Sequence, residues 1–241
     1  MTKPLSELTT MQVGGTPAEL LEAHSRDQLI EFATGVWATG EDWLVLGGGS
    51  NIVAADDLSE LTVIRTLNRG IERDGTRLRV QAGENWDEFV AFTVDAGLTG
   101  VEALSGIPGC VGAAPVQNIG AYGQEVAETI TRLEFVEYPS GEIRVLEASE
   151  LGFGYRDSIF KRGCQGVITW VEFELREGSP ASLDRLTQAI GREVSTSAEI
   201  RREVLATRAV KGMVLDDADR DTYSCGSFFT NPIVSEGFAL G

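Results

Sequence analysis

Residues 106 to 123 read Gly-Ile-Pro-Gly-Cys-Val-Gly-Ala-Ala-Pro-Val-Gln-Asn-Ile-Gly-Ala-Tyr-Gly, with five glycines and two prolines in eighteen positions. Glycine is costly inside helices and strands, and proline removes a backbone donor, so neither regular element fits. A solvated linker would carry Ser, Glu and Lys in place of Val, Ile and Tyr. An ordered loop remains, with small residues that let backbone N–H groups approach an anionic group, because successive amides in turn conformations form an anion-binding concavity. A purely structural glycine turn is the competing reading. Gly47-Gly48-Gly49-Ser50-Asn51 offers the same chemistry directly after the apolar run Trp43-Leu44-Val45-Leu46. It lacks the Gly-x-Gly-x-x-Gly that opens a long helix, so a Rossmann fingerprint is not met. A second phosphate-type loop and a plain turn both stay open for it.

Three further side chains could act beside such loops. Arg156 lies in Phe153-Gly154-Tyr155-Arg156-Asp157-Ser158-Ile159-Phe160-Lys161. Arginine captures carboxylates or phosphates bidentately, and the alternative is a structural pair with Asp157. Ser227 sits in Gly226-Ser227-Phe228-Phe229-Thr230-Asn231-Pro232, where a serine is usually only a cap or turn residue. Lys211 precedes Gly212 and could reach a phosphate or stand in solvent.

The chain has 241 residues and a formal charge of −17, from 20 Lys plus Arg and 37 Asp plus Glu. That length allows one large domain or two to three small ones. The charge argues against a polynucleotide partner but not against a small anion held by a few cations and amides. His24 is the sole histidine, which excludes a histidine-based metal site and a Ser-His-Asp triad. No metal is expected. Cys110, Cys164 and Cys225 show no paired spacing. With no apolar core in Met1 to Leu8 and no run of eighteen apolar residues, the expectation is a cytoplasmic protein not bound to membrane. A monomer is expected as well.

The elements that must hold these residues alternate between strand and helix. Ala18 to Ala23 reads as a strand, and Ser25 caps a helix from about Asp27 to Thr39 with Leu29, Phe32, Ala33 and Val36 near one face. Strands are expected at Trp43–Leu46, Leu61–Ile64 and Arg77–Gly83, and a helix at Trp86–Ala96 stopped by Gly97. Ile130 to Tyr138 alternates, turns at Ser140-Gly141 and returns over Glu142 to Leu146. A strand at Gly166–Leu175 and helical sequence over about Ser182–Arg208 complete the pattern.

Taken together, the stretches Leu8–Gly15, Leu44–Asn51, Gly106–Gly123, Phe153–Lys161 and Gly226–Pro232 resemble the UDP-N-acetylenolpyruvoylglucosamine reductase family, in the family's order and over nearly the whole chain. The resemblance implies an α+β flavoprotein with the FAD-binding fold of the vanillyl-alcohol-oxidase type. Two α/β subdomains (1–67 and 68–207) would enclose the flavin, and 208–241 would begin an incomplete C-terminal substrate-binding subdomain.

The same resemblance implies that Gly47, Gly48, Gly49, Ser50 and Asn51, with Gly109, Gly112, Ala113, Gln117, Asn118 and Gly120, hold FAD. Tyr122, Lys211 and Asn231 would contact the UDP-sugar. NADPH would be the co-substrate. Arg156 would stabilise negative charge on the enolpyruvyl carboxylate, and Ser227 would protonate the α-carbon. Two departures from the family pattern follow. Val234 to Gly241 presents no counterpart of the family's C-terminal catalytic Glu, and Glu177 to Asp184 offers no Tyr for a substrate-covering loop, where Leu183 stands nearest. A non-catalytic flavin- or nucleotide-binding module of the same family is therefore the alternative. Another oxidase of the same flavin fold is disfavoured by Arg156 and Ser227 in their contexts.

Overall fold

The computed structural model describes residues 2–227 together with 229, 230, 232 and 234. A three-stranded parallel sheet opens the chain. It contains β1 (Pro17–Ala23), β2 (Asp42–Leu46) and β3 (Leu58–Thr66), in the order β1-β3-β2. Helix α1 (Arg26–Thr39) connects the first two strands. It starts as the sequence expects, with the Ser25 hydroxyl accepting the Gln28 amide at 3.2 Å. Its buried face carries Leu29, Ala33, Val36 and Trp37.

The second unit continues with β4 (Ile71–Asp74), β5 (Arg77–Gln81), α2 (Trp86–Asp95) and the short β6 (Leu98–Thr99). Inside the glycine-rich region, β7 (Gly120–Ala121) pairs with β8 (Gln124–Glu125). The chain then forms β9 (Ile130–Glu137), β10 (Glu142–Glu147), β11 (Gly166–Glu174) and β12 (Arg176–Glu177). Strands β10-β9-β11-β5-β4 make an antiparallel sheet in that order. Its central strand β11 is buried from Val167 through Phe173, as befits a strand paired on both edges and covered on both faces.

Helix α2 covers one face of this sheet. Trp86 and Phe89 are buried, the Phe89 and Phe173 rings lie 4.8 Å apart, and the Trp86 indole N–H donates to the Leu104 carbonyl at 3.0 Å. Helix α1 occupies the other face, because Val136 of β9 and Val167 of β11 join its buried side chains and Ile64 of β3 in one cluster. Arg26 fixes this docking: its Nε and Nη2 donate to the two carboxylate oxygens of Glu134, at 2.6 and 3.0 Å. One amphipathic helix thus joins both sheets and sets their separation.

The helical stretch expected over 182–208 is two helices, α3 (Asp184–Ile190) and α4 (Ser197–Val210). The break has a local cause. Gly191 ends α3, its amide donating to the Thr187 carbonyl at 2.9 Å. Thr196 and Glu199 then form a capping box, Glu199 N–H to Thr196 Oγ1 at 3.2 Å and Thr196 N–H to Glu199 Oε2 at 3.3 Å. That Thr-x-x-Glu spacing starts a helix and does not continue one. The paired β4 was also not expected, since Ile71-Glu72-Arg73-Asp74 is too short and polar to show an alternating signal.

Candidate functional site

Two glycine turns meet at the end of β2. Gly48 approaches Gly109 so closely that a Cβ on Gly48 would stand 2.7 Å from the Gly109 Cα. Only glycine fits such an approach. The Ser50 hydroxyl donates to the Pro108 carbonyl at 3.0 Å and ties the turns together. Trp86 N–H to Gly109 O at 3.1 Å and Val111 N–H to Glu84 O at 2.9 Å fasten the longer loop to the start of α2. Among the described residues, the N–H groups of Gly49, Ser50, Asn51 and Gly109 donate to no protein acceptor. Clustered free amides fit an anionic group such as a diphosphate. The amides of Gly112 and Ala113 are different: they already donate to Ala82 O at 2.8 Å and Cys110 O at 3.1 Å. Those two residues can serve by small size alone. Burial pushes the Cys110 thiol up, so this side chain packs the junction in its neutral form.

Arg156 reaches the far end of the same loop. Its Nη1 donates to the Asn118 carbonyl at 3.1 Å, and its Nη2 donates to the Gly120 carbonyl. The Tyr155 ring lies 5.3 Å from the guanidinium, and Lys161 Nζ donates to the Arg156 carbonyl at 2.8 Å. Glu125 is the nearest carboxylate, 3.8 Å away. The Arg–Asp pair allowed by the sequence is formed by a different arginine, because Asp157 is bound by Arg162. Arg156 keeps a guanidinium bonded mainly to neutral carbonyls, still able to attract an anion. Gly120 permits this, since a Cβ there would stand 2.7 Å from Arg156 Nη1.

Asn118 organises the turn beneath the guanidinium. Its Nδ2 donates to Glu125 Oε2 at 2.8 Å and to Gly154 O at 2.9 Å, while its Oδ1 accepts the Ala127 amide at 3.0 Å. The side chain is buried, so its part is to shape the loop. The Ser158 hydroxyl donates to Val116 O at 2.5 Å and adds another tie between the two segments. Gln117 is half-buried, with no hydrogen bond to its side chain among the described residues.

The residues expected at the sugar nucleotide are more dispersed. Tyr122 packs beside Leu183, Leu186, Ile200 and Val204 of the α3–α4 region, and burial pushes its hydroxyl up despite the charge of Arg208 nearby. Leu183 therefore stands against the glycine loop, though without a hydroxyl. Lys211 is exposed at the end of α4. Ser227 is exposed and has no hydrogen bond to Arg156 or its partners. Asn231 lies outside the described residues. A shallow hollow beyond α4, lined by Val214, Leu215, Asp216, Asp219 and Thr222 among others, contains none of the expected site residues.

Residues 17–147 match the FAD binding domain family. The UDP-N-acetylenolpyruvoylglucosamine reductase of Leifsonia xyli subsp. xyli is 55% identical over 99% of this chain and 69% of its own length. That of Nocardia farcinica is 48% identical over 95% of this chain and 62% of its own length. The crystal structure of UDP-N-acetylenolpyruvylglucosamine reductase from Thermus caldophilus superposes with a TM-score of 0.70 at 31% identity, covering 96% of this chain and 74% of that one. This chain belongs to the UDP-N-acetylenolpyruvoylglucosamine reductase family.

The α+β FAD-binding architecture expected from the sequence is the one observed. The chain spans about two thirds of the length of the curated relatives it matches. Among the described residues, no cluster of three or more His, Cys, Asp or Glu could hold a metal, and no helix is long and apolar enough to cross a membrane. Residues that sequence reading missed in this family member include Asp87, Arg201 and Arg208. Arg201 and Arg208 are seven positions apart, hence on one face of α4, but a polar helix gives no sign of what that face meets. Arg208 is half-buried, and desolvation lowers its basicity.

Proposed function

We propose that this chain is an FAD-dependent oxidoreductase that uses NADPH to reduce the enolpyruvyl group of UDP-N-acetylenolpyruvoylglucosamine, giving UDP-N-acetylmuramate for peptidoglycan synthesis. Family membership supports this reading, and one structural observation carries it at the level of residues. The free amides gather where the Gly48 turn meets Gly109, near one end of the glycine loop, and the guanidinium of Arg156 is bound by carbonyls at that loop's other end.

Gly49, Ser50, Asn51 and Gly109 would hold the FAD diphosphate through their N–H groups, and Gly47, Gly48, Gly112, Ala113, Gln117 and Gly120 would line its path. When bound, FAD supplies the two-electron hydride chemistry that links NADPH to the enolpyruvyl β-carbon. Arg156 would then face the substrate carboxylate, into which negative charge spreads from the α-carbon. Its position is set beforehand by the carbonyls of Asn118 and Gly120, so no reorganisation is needed as charge develops. Such preorganised donors are worth about 3–4 kcal/mol. Ser227 would deliver the proton to the α-carbon, where an unperturbed hydroxyl suffices because the enolate is strongly basic. Tyr122, Lys211 and Asn231 would contact the UDP-sugar. The domain boundaries at 67/68 and 207/208, a monomeric state and a cytoplasmic location are parts of the same proposal.

A second reading, a flavin-binding module without turnover, is favoured by the exposure of Ser227 and its lack of any link to Arg156. Anaerobic mixing of the flavin-loaded protein with NADPH, followed by the enolpyruvyl substrate, separates the two. Bleaching of the flavin and its return on substrate addition support the reductase. A flavin that stays oxidised supports the module, and a protein that retains no flavin refutes both.

A further inference from the structure

Asp87, the second residue of α2, stands where three elements meet. Its Oδ1 accepts the amide of Gly106, the first residue of the glycine loop, at 2.6 Å. Arg201 of α4 donates to the same carboxylate through Nη1 to Oδ1 at 2.6 Å and Nη2 to Oδ2 at 2.8 Å. Such a fork fixes direction as well as distance. The side chain of Arg201 is 18% exposed and that of Asp87 35%, so solvent screens the pair only partly. Burial would raise the Asp87 pKa, but the Arg201 and Gly106 hydrogen bonds outweigh it and hold the carboxyl below its ordinary value.

The loop has little freedom at this point. A Cβ on Gly106 would stand 2.8 Å from Leu205 Cδ2 and 3.4 Å from Arg208 Nε, so α4 presses directly against it. Three residues on, Gly109 presents one of the free amides that face the Gly48 turn. The loop's other end is held by Arg156 and Asn118. Neither of those contacts reaches residues 106–109.

We propose that Asp87 is a positioning residue for the cofactor site: by binding the Gly106 amide it sets, together with the Trp86 N–H bond to the Gly109 carbonyl, where the free Gly109 N–H points, while Arg201 uses the same carboxylate to brace α4. This rests on the reading that the loop binds the FAD diphosphate. It assigns different work to the two partners. Asp87→Ala removes the acceptor of the Gly106 amide, whereas Arg201→Ala leaves that acceptor in place. Asp87→Asn keeps an oxygen that can accept the amide but weakens the pairing with Arg201.

The test uses the full chain and two measurements. FAD affinity is read by titration with flavin fluorescence, with melting temperatures in parallel. Hydrogen exchange at residues 106–109 is read in the flavin-free protein. Asp87→Ala is expected to weaken FAD binding roughly tenfold or more, the equivalent of one lost charge-assisted hydrogen bond. It should also deprotect the Gly106 amide. Arg201→Ala and Asp87→Asn are expected to stay within about threefold of wild type in FAD affinity. They should leave Gly106 protected, even where their melting temperatures fall as far as that of Asp87→Ala. Equal weakening by Asp87→Ala and Arg201→Ala in step with melting temperature would overturn the proposal, as would unchanged FAD affinity in Asp87→Ala. If the wild-type chain takes up no FAD, the cofactor reading fails. The exchange measurement then still decides whether Asp87 holds the start of the loop.

Discussion

Gly120→Ala strikes the carbonyl cradle of Arg156 while leaving the free amides of the Gly48 and Gly109 turns in place. The added Cβ would lie 2.7 Å from Arg156 Nη1, 2.9 Å from the Gln124 carbonyl and 2.9 Å from Glu125 Cγ. Two of these neighbours are backbone and a tethered side chain, so the guanidinium is the group that yields. Regaining ordinary contact at 3.4 Å requires a retreat of about 0.7 Å. Applied to the 3.1 Å bond from Nη1 to the Asn118 carbonyl, that displacement exceeds hydrogen-bonding range. One charge-assisted bond is worth about 1.5–3 kcal/mol. If Arg156 stabilises charge on the substrate, this corresponds to a roughly 10- to 150-fold slower reoxidation of reduced flavin by the enolpyruvyl compound. Reduction of the flavin by NADPH should change far less than reoxidation, because Gly120 only lines the flavin's path and the free amides at the Gly48 and Gly109 turns stay in place. Stopped-flow absorbance of the two half-reactions measures both quantities. A Gly120→Ala protein with unimpaired reoxidation, or with both half-reactions slowed alike, would remove Arg156 from the role argued for it.

Ser227→Ala should spare reduction by NADPH and slow reoxidation by substrate in the same assay, whereas equal loss in both would exclude Ser227 as proton donor. Gly48→Val should abolish flavin retention while the protein still melts cooperatively, because the new side chain would collide with the Gly109 backbone and force the two turns apart; retained yellow colour after gel filtration would count against a site between the turns. Glu134→Gln should destabilise the fold by about 1–3 kcal/mol near neutral pH through loss of the fork to Arg26 and the bond to Thr169. Burial pushes the Glu134 carboxyl up, but hydrogen bonds from Arg26 and Thr169 pull it below its ordinary value. Its contribution is therefore full above the unfolded glutamate pKa of about 4.3 and fades as pH falls through the lower folded value. Melting curves of the two proteins should converge in acid, and a gap that widens as pH drops would refute this.

Residue spacing alone located most of the fold. The helices α1 and α2 appear at their expected places because Ser25 caps the first and the apolar positions of both recur at helical intervals. The hairpin of β9 and β10 follows from strict alternation around Ser140-Gly141. Composition also identified the two glycine turns, since so many glycines among apolar residues leave few alternatives. Their mutual contact was another matter. Gly48 and Gly109 are far apart in sequence, and they meet because α1 packs between the two sheets and brings the end of β2 against the start of α2. Local pattern carries no record of such a long-range approach.

The identity of the residues able to act was likewise legible, but their partners were not. Sequence placed Arg156 beside Asp157 and left a structural pair open; the fold gives Asp157 to Arg162 and turns Arg156 toward the carbonyls of Asn118 and Gly120. Asp87 and Arg201 gave no signal at all, because a carboxylate in a first helical turn and an arginine on a polar helix are ordinary surface residues until α4 is laid across the loop. Backbone conformations and apolar periodicity are properties of neighbouring residues, so the chain's order determines them. Hydrogen-bond partners from remote segments, and the amides left free between them, exist only once helices and sheets have packed.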